Sequence, residues 1–100
     1  MLLSEDLARR FRAALVAAQA AGELPQFDVP EVPIERPKQA AYGDYATPVA
    51  MQLARLARQA PLRIAETVVR FLEGPPYVGK VDVVAPGYVN LSLSPEWLAR

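Results

Sequence analysis

Apolar residues recur at helical spacing near the start of the chain. From Leu3 to Ala18, leucine, phenylalanine and alanine return every three or four positions, which predicts an amphipathic helix over Ser4–Ala21. Ser4 is a suitable N-cap residue, because its hydroxyl can accept a hydrogen bond from an amide of the first turn. Gly22 is a natural residue just beyond the helix, since glycine adopts the left-handed conformation without strain.

Residues 25–38 (PQFDVPEVPIERPK) combine spaced apolar side chains with four prolines. A proline has no amide hydrogen, so this segment cannot form a central strand of a sheet. We expect at most an edge strand that is broken or bulged at Pro30 and Pro33. The apolar positions of that edge strand are Phe27, Val29, Val32 and Ile34.

Two short helices are predicted to meet at Pro61. Thr47 and Pro48 have the residue types of an N-cap and a first helical position, which predicts a helix over residues 48–59. Pro61 ends this helix and begins the next one, which Gly74 and the two prolines after it terminate. The apolar face of the first helix consists of Val49, Leu53, Leu56 and Ala57, and that of the second consists of Ile64, Ala65, Val68, Val69 and Leu72.

A β-hairpin is predicted in the last quarter of the chain. Residues 78–84 (VGKVDVV) are rich in valine, which favours a strand. In residues 86–95 (PGYVNLSLSP) apolar and polar side chains alternate, which predicts the partner strand. The Ala-Pro-Gly-Tyr sequence of residues 85–88 fits a type II turn, with Pro86 in the second position and Gly87 in the third.

A further helix begins at the end of the sequence. Ser94 and Pro95 have the residue types of a cap and a first helical position, and Arg100 follows before two turns are complete. We therefore interpret residues 95–100 as the start of a helix that leads toward a following domain. The order of elements predicts that residues 1–100 form a single α+β domain, with a small antiparallel sheet of three to four short strands packed against three to four helices.

The composition narrows the classes of function. The chain has 11 basic and 11 acidic residues, whereas domains that hold nucleic acid by electrostatics alone are usually strongly basic. It has no cysteine and no histidine, so disulfides, Cys/His zinc sites and histidine-based catalysis are excluded. It also lacks a glycine-rich phosphate loop and an apolar run long enough to span a membrane. We expect a cytoplasmic, monomeric protein with no cofactor, no membrane contact and no catalytic residues of its own.

The polar face of the last predicted strand carries the most informative side chains. Tyr88, Asn90 and Ser92 share one side of the extended chain, opposite the apolar residues between them. A tyrosine ring can stack on a nucleobase, and an asparagine amide can read a base edge as both donor and acceptor. Alternatively, a helix such as the one beginning at residue 95 covers this face, and the residues by themselves favour neither interpretation.

For Asp44 and for a set of cationic residues, we favour a structural interpretation over a functional one. Asp44 lies among aromatic residues and could act as a functional acid, but it more readily caps a turn and orders the start of the helix at residues 48–59. Several cationic residues could form a phosphate-contacting strip, although the balanced net charge favours solvated helix faces for most of them. These residues are Arg55, Arg58, Arg63 and Arg70, together with Lys38 and Lys80.

Three segments, in order and at consistent spacing, resemble segments of arginyl-tRNA synthetases. Residues 38–55 (KQAAYGDYATPVAMQLAR) resemble the GDYATNVAMQLAK type of segment near the N-terminus of that family. Residues 61–73 (PLRIAETVVRFLE) resemble its NPREIAEEIVEAL helix. Residues 85–95 (APGYVNLSLSP) resemble the GPGFINFFLS type of segment that closes the same domain. Three ordered motifs are far more specific than any one of them.

The resemblance implies an N-terminal α+β domain that precedes a class I catalytic core. Such a domain contacts the D-loop at the outer corner of tRNA-Arg. The match implies that Asn90 reads a D-loop base and that Tyr88 packs on that base or on its sugar. Among the neighbouring polar and cationic residues, we expect further RNA contacts from Ser92, Lys80 and Lys38.

The same resemblance implies structural roles for five residues. Gly43, Asp44 and Tyr45 correspond to the Gly-Asp-Tyr of the first motif and shape the start of the following helix, while Pro86 and Gly87 form the turn. The catalytic HIGH-like and KMSK-like sequences of the family are absent from these residues. We therefore expect ATP and Mg²⁺ binding and arginine–tRNA ligase activity in a catalytic domain of the same parent chain. The alternative is a protein-interaction or structural α+β module with no RNA contact.

Overall fold

The computed structural model describes residues 2–98, in which four α-helices pack with a three-stranded antiparallel sheet. The α+β class predicted from the order of elements is confirmed. The elements are α1 (Leu3–Ala20), a short 3₁₀ turn (Ala40–Tyr42), β1 (Tyr45–Thr47), α2 (Val49–Ala57), α3 (Pro61–Phe71), β2 (Val78–Val84), β3 (Tyr88–Leu93) and α4 (Pro95–Leu98). Of the helix predicted for residues 95–100, residues 99 and 100 lie outside the described range.

Strand β3 is the centre of the sheet, whose order is β1-β3-β2 with both neighbours antiparallel to β3. Directly opposed residues of antiparallel strands project to the same face. On the inner face Leu91 lies opposite Val81, and on the outer face Asn90 lies opposite both Ala46 and Asp82. The alternation of apolar and polar residues in β3 therefore separates a core face from an outer face, as predicted.

Helices α2 and α3 pack on the inner face of the sheet, α1 packs on α3, and the three helices close one hydrophobic core. Burying one large apolar side chain contributes roughly 1.5–3 kcal/mol, so this core supplies most of the stabilisation. Its largest fully buried side chains include Leu7, Phe11, Leu15, Leu53, Ile64, Val68, Val89 and Leu91.

Helix α1 ends at Ala20, one residue before the predicted Ala21, and begins at Leu3, before the predicted Ser4. The amide of Asp6 donates to the carbonyl of Leu2 over 3.2 Å, so the helix starts before Ser4, and the predicted Ser4 cap is wrong. At the other end Gly22 has φ +78°, and its amide donates to Gln19. This left-handed residue satisfies the last carbonyls of the helix in the manner of a Schellman motif.

The predicted edge strand in residues 25–38 is reduced to one bridge. Glu35 and Ala46 exchange two backbone hydrogen bonds of 2.7 and 2.9 Å. In an antiparallel ladder the next hydrogen-bonded positions lie two residues away on either side. Those positions are Pro33 and Pro37, which have no amide hydrogen, so the ladder cannot extend beyond Glu35.

Helices α2 and α3 meet close to the predicted point. Pro61 begins α3 as expected, whereas α2 begins one residue after Pro48, and the hydroxyl of Thr47 accepts a hydrogen bond from Val49 over 3.2 Å. The predicted apolar face of α2 is wrong at Leu56, whose side chain is exposed. The helix ends before Pro61 because the chain turns at residue 58, where the backbone is left-handed.

The β2–β3 turn differs from the predicted type II turn. That turn requires a positive φ at Gly87, but the glycines with positive φ within residues 2–98 are Gly22 and Gly43, and the Ala85–Pro86 peptide is cis. Glycine is required at position 87 for a different reason. A Cβ atom there would lie 2.6 Å from the Cβ of Pro61, so only glycine lets the turn pack against the start of α3.

Candidate functional site

A groove with a cavity volume of about 410 Å³ opens on the outer face of the sheet. Strands β1 and β3 form its floor, the segment of residues 35–42 forms one wall, and the end of β2 with the following turn forms another. We call this cavity the outer-face groove. Its lining residues are Glu35, Pro37, Lys38, Gln39, Tyr42, Ala46, Val84, Ala85, Tyr88 and Asn90.

Asn90 lies in the floor of the outer-face groove and is only 8% exposed. Its neighbour on β1 is Ala46, whose small side chain leaves the amide accessible from the groove. Among residues 2–98 the Asn90 amide makes no hydrogen bond, and its polar atoms are not fully buried, so they stay accessible from the groove. An amide with two donor hydrogens and an acceptor oxygen is therefore available to a molecule that enters the groove.

The other predicted RNA contacts divide into two sets. Tyr88 is half-buried in the groove lining, and Lys38 is exposed on the wall facing it. Ser92 and Lys80 lie opposite each other on the same outer face, but beyond the lining. The structure thus brings Asn90, Tyr88 and Lys38 together and leaves Ser92 and Lys80 at the periphery.

The charges around the groove have both signs. Glu35 lines the groove together with Lys38, and the ammonium of Lys80 lies 3.3 Å from the carboxylate of Asp82 in a solvent-exposed pair. Such a pair contributes little to stability, because water screens it. This arrangement matches the balanced net charge and means that long-range attraction of a polyanion is weak at the groove itself.

Asp44 has a structural role, but not the one predicted. Its carboxylate accepts a hydrogen bond from the amide of Leu93 over 2.7 Å, and its own amide donates to the carbonyl of Leu91. Asp44 therefore holds the end of β3 rather than the start of α2, where Thr47 performs that task. Gly43 beside it has φ +86°, and a Cβ there would lie 2.7 Å from the Leu91 oxygen.

The wall of the groove is fixed at Glu35 and at Arg36. The bridge to Ala46 anchors the backbone, and the guanidinium of Arg36 lies 5.2 Å from the ring centre of the buried Tyr45. A cation over an aromatic face is an attractive arrangement. Sequence reasoning missed Glu35, Ala46 and Tyr42 as groove residues, because they become neighbours of Asn90 only through strand pairing and the return of a proline-rich segment.

A second polar cluster joins α1 to the chain just before β2. Asp6 accepts hydrogen bonds from the Tyr77 hydroxyl over 2.6 Å, from Nε of Arg10 over 2.8 Å and from Arg9 over 2.8 Å. The Tyr77 and Arg10 hydrogen bonds lower the pKa of Asp6 to about 2, and burial raises the pKa of Tyr77. The Trp97 ring packs 5.9 Å from that of Tyr77. We call these five residues the Asp6 corner.

The position of α4 bears on the alternative that the helix beginning at residue 95 covers the polar face of β3. Trp97 packs on Tyr77, whose hydroxyl reaches α1, so α4 does not cover the outer face. Asn90 is itself buried, and the outer-face groove opens above it.

Two classes of site find no support in the part of the chain that the structure describes. No cluster of three or more histidine, cysteine, aspartate or glutamate side chains in residues 2–98 is arranged to hold a metal ion. None of the helices within that range combines the length and the apolar character needed to cross a membrane.

Sequence comparison places the chain beside one group of proteins. The family model described as arginyl tRNA synthetase N terminal domain matches residues 5–93. The arginine–tRNA ligase of Moorella thermoacetica is 41% identical over 103 residues, which cover 98% of this chain and 18% of that protein. The arginine–tRNA ligase of Frankia alni is 41% identical over 95% of this chain and 17% of its own length. The chain thus spans less than a fifth of these curated relatives.

Solved structures agree with the sequence comparison. Arginyl-tRNA synthetase of Thermus thermophilus superposes with a TM-score of 0.77 and 26% identity, over 97% of this chain and 15% of that one. Arginyl-tRNA synthetase from Plasmodium falciparum superposes with a TM-score of 0.76 over 96% of this chain and 17% of that one. Because the second structure is only 12% identical in sequence, this match supports the shared fold alone.

Proposed function

The chain belongs to the family of arginyl-tRNA synthetase N-terminal domains, and from this membership we propose that it is a non-catalytic tRNA-binding domain of an arginine–tRNA ligase. In this proposal ATP, Mg²⁺ and arginine bind elsewhere in the ligase, and the partners of the domain are tRNA-Arg and the catalytic domain. The domain contributes to arginylation by positioning the tRNA.

One observation carries the proposal: Asn90 is a nearly buried residue in the floor of an open groove, and its amide has no hydrogen-bond partner among residues 2–98 but stays accessible from the groove. A splayed D-loop base fits such a site, because its edge offers donors and acceptors to the amide. The half-buried Tyr88 ring in the same lining supplies a surface for the base or its sugar. The cavity lies within the range of about 300–1,000 Å³ that is typical of ligand sites.

The cationic residues have a supporting role in this proposal. Lys38 extends from the groove wall and contacts a phosphate next to the bound base. Lys80 and Ser92, which lie beyond the lining, contact the neighbouring nucleotide on the outer face. These contacts position the RNA, whereas Asn90 distinguishes its base.

The rival function is a protein-interaction or structural module, and the low exposure of Asn90 favours it. A residue buried for a purely structural reason is normally hydrogen-bonded inside the protein, because an unpaired buried amide is costly. The Asn90 amide has no such internal hydrogen bond, and its polar atoms keep solvent access at the floor of the groove, which favours a ligand over internal packing.

An NMR titration of the 100-residue chain with a D-arm hairpin RNA tests the proposal. Asn90 is the only asparagine in the sequence, so selective asparagine labelling gives a single side-chain amide signal in the groove. We expect that signal to shift with the RNA and to stop shifting when one loop base is changed. An unshifted Asn90 amide, together with an unchanged tRNA KM for the Asn90→Ala ligase, would refute the base-reading role.

A further inference from the structure

The junction between α2 and α3 concentrates positive charge in a chain that is neutral as a whole. Residues 55–63 (RLARQAPLR) contain three arginines and no acidic residue, so the rest of the chain carries a net charge of −3. Within residues 2–98, none of Arg55, Arg58 and Arg63 forms an ion pair. We call residues 55–63 the basic corner.

The basic corner adjoins one end of the outer-face groove. The turn between β2 and β3 packs against Pro61, since a Cβ at Gly87 would lie 2.6 Å from the Cβ of Pro61. Ala85 of the same turn lines the groove. Arg58 and Arg63 are within three residues of Pro61, so their Cα atoms lie at most about 11 Å from it. The basic corner therefore lies at the end of the sheet where this turn borders the groove.

Two features distinguish the basic corner from an ordinary solvated helix face. Leu56 and Leu62 are 57% and 39% exposed, so apolar surface accompanies the cations. Arg58 has φ +53° and is the non-glycine residue with positive φ within residues 2–98. Glycine is the residue that suits this left-handed position at the end of α2. An arginine there places a cation where the backbone favours glycine.

Two acidic residues that lie near the basic corner form no ion pair with its arginines. The carbonyl of Glu23 accepts a hydrogen bond from Gln59 over 3.2 Å, but the Glu23 carboxylate is paired with Arg70. Glu66 lies one turn beyond Arg63 on α3 and forms no ion pair with it. The three corner arginines are therefore available to an external anion.

We propose that the basic corner is a second RNA-contact surface, which binds backbone phosphates of the same tRNA whose D-loop base occupies the outer-face groove. The inference rests on the proposed function. Arg58 and Arg63 donate to phosphate oxygens, which the planar guanidinium can bind in a bidentate manner. Leu56 and Leu62 contact the apolar faces of the sugars or of an unstacked base. The charge of the corner fits a polyanion and gives this face the attraction that the groove lacks.

Arg58→Gly is a sharp test, because it removes the cation and gives the left-handed position its preferred residue. We therefore expect this variant to stay folded, and urea denaturation of the variant checks that a loss of RNA binding is not due to unfolding. We expect Arg58→Gly and Arg63→Gln each to raise the Kd of the 100-residue chain for the D-arm hairpin about 3- to 10-fold at low salt. Each should also reduce the slope of log Kd against log salt by about 0.7–0.9, the value for one phosphate contact.

Arg12→Gln on the exposed side of α1 is the matched control, since it removes the same charge from a residue outside the basic corner. If the corner variants bind RNA like this control while Asn90→Ala binds more weakly, the inference fails and the proposed function stands. If the corner variants bind more weakly and Asn90→Ala does not, the corner is an RNA surface and the base-reading role fails. If the unaltered chain does not bind the RNA, both fail.

Discussion

The Asp6 corner and the outer-face groove contain polar side chains with little solvent exposure, but they use them in opposite ways. The Asp6 carboxylate accepts hydrogen bonds from Tyr77, Arg10 and Arg9. The Asn90 amide accepts and donates none within residues 2–98. Where hydrogen-bonding capacity is used inside the fold, it stabilises the fold, and where it is left open toward a groove, it can bind a ligand. Mutations in the Asp6 corner should therefore lower stability, whereas mutations in the outer-face groove should weaken RNA binding.

The largest effect is expected from Asp6→Ala, which leaves the Tyr77 hydroxyl without its acceptor and Arg10 without its carboxylate partner. We expect the free energy of unfolding to fall by about 2–3 kcal/mol, because a buried hydroxyl without a partner carries its full desolvation cost. Urea denaturation of the 100-residue chain measures this. Glu5→Ala, an exposed acidic residue in the same turn, is the control and should cost less than about 1 kcal/mol. An equal loss of unfolding free energy in Asp6→Ala and Glu5→Ala would show that the hydrogen bonds of Asp6 do not stabilise the fold.

Asn90→Ala should produce the reverse signature. We expect RNA binding to weaken by about 1–3 kcal/mol, roughly 5- to 150-fold, because a base contact is lost. Stability should change by less than about 1 kcal/mol, since no internal hydrogen bond is broken. The tRNA KM of the full ligase and urea denaturation measure the two quantities.

Ser92→Ala is the matched control for Asn90, because Ser92 lies on the same strand face outside the groove lining. Its binding loss should be several-fold smaller. If Asn90→Ala lowers stability and leaves RNA binding unchanged, Asn90 has a structural role and does not bind RNA.

The two regions also differ in how far the sequence predicts them. The alternation in β3 and the proline positions predicted the hairpin, the central helices and the outward placement of Asn90, because these depend on local periodicity. The Asp6 corner was not predicted, since Asp6 and Tyr77 are 71 residues apart and only the packing of α1 brings them together. The groove wall was missed for a similar reason: a single bridge at Glu35 positions it, without strand periodicity. Asp44 was assigned to the wrong neighbour because its acceptor role depends on strand pairing.

The acid stability of the chain offers a test confined to the Asp6 corner. The pKa of Asp6 is lowered from 3.8 to about 2 in the folded state, so its contribution is fully present above pH 3.8 and is lost as the pH falls toward 2. That contribution is on the order of 1–2 kcal/mol, because the side chain keeps some contact with solvent. We expect Asp6→Asn to lower stability at pH 7 and to flatten its fall between pH 5 and 2. Parallel pH profiles of wild type and variant would contradict the assignment.

The smallest effects come from one chemical change made in both regions. Tyr77→Phe removes the hydroxyl that donates to Asp6, and we expect a loss of about 0.5–1.5 kcal/mol, the net value of one hydrogen bond. Tyr88→Phe removes a hydroxyl that has no hydrogen bond within residues 2–98, so stability should stay within about 0.5 kcal/mol of wild type. The phenylalanine ring still stacks on a base, so RNA binding should also be nearly unchanged. Paired urea denaturation curves measure this difference. If Tyr77→Phe and Tyr88→Phe lose equal stability, the hydrogen bond of the Tyr77 hydroxyl does not stabilise the fold. The contrast between the Asp6 corner and the outer-face groove would then fail for these two hydroxyls.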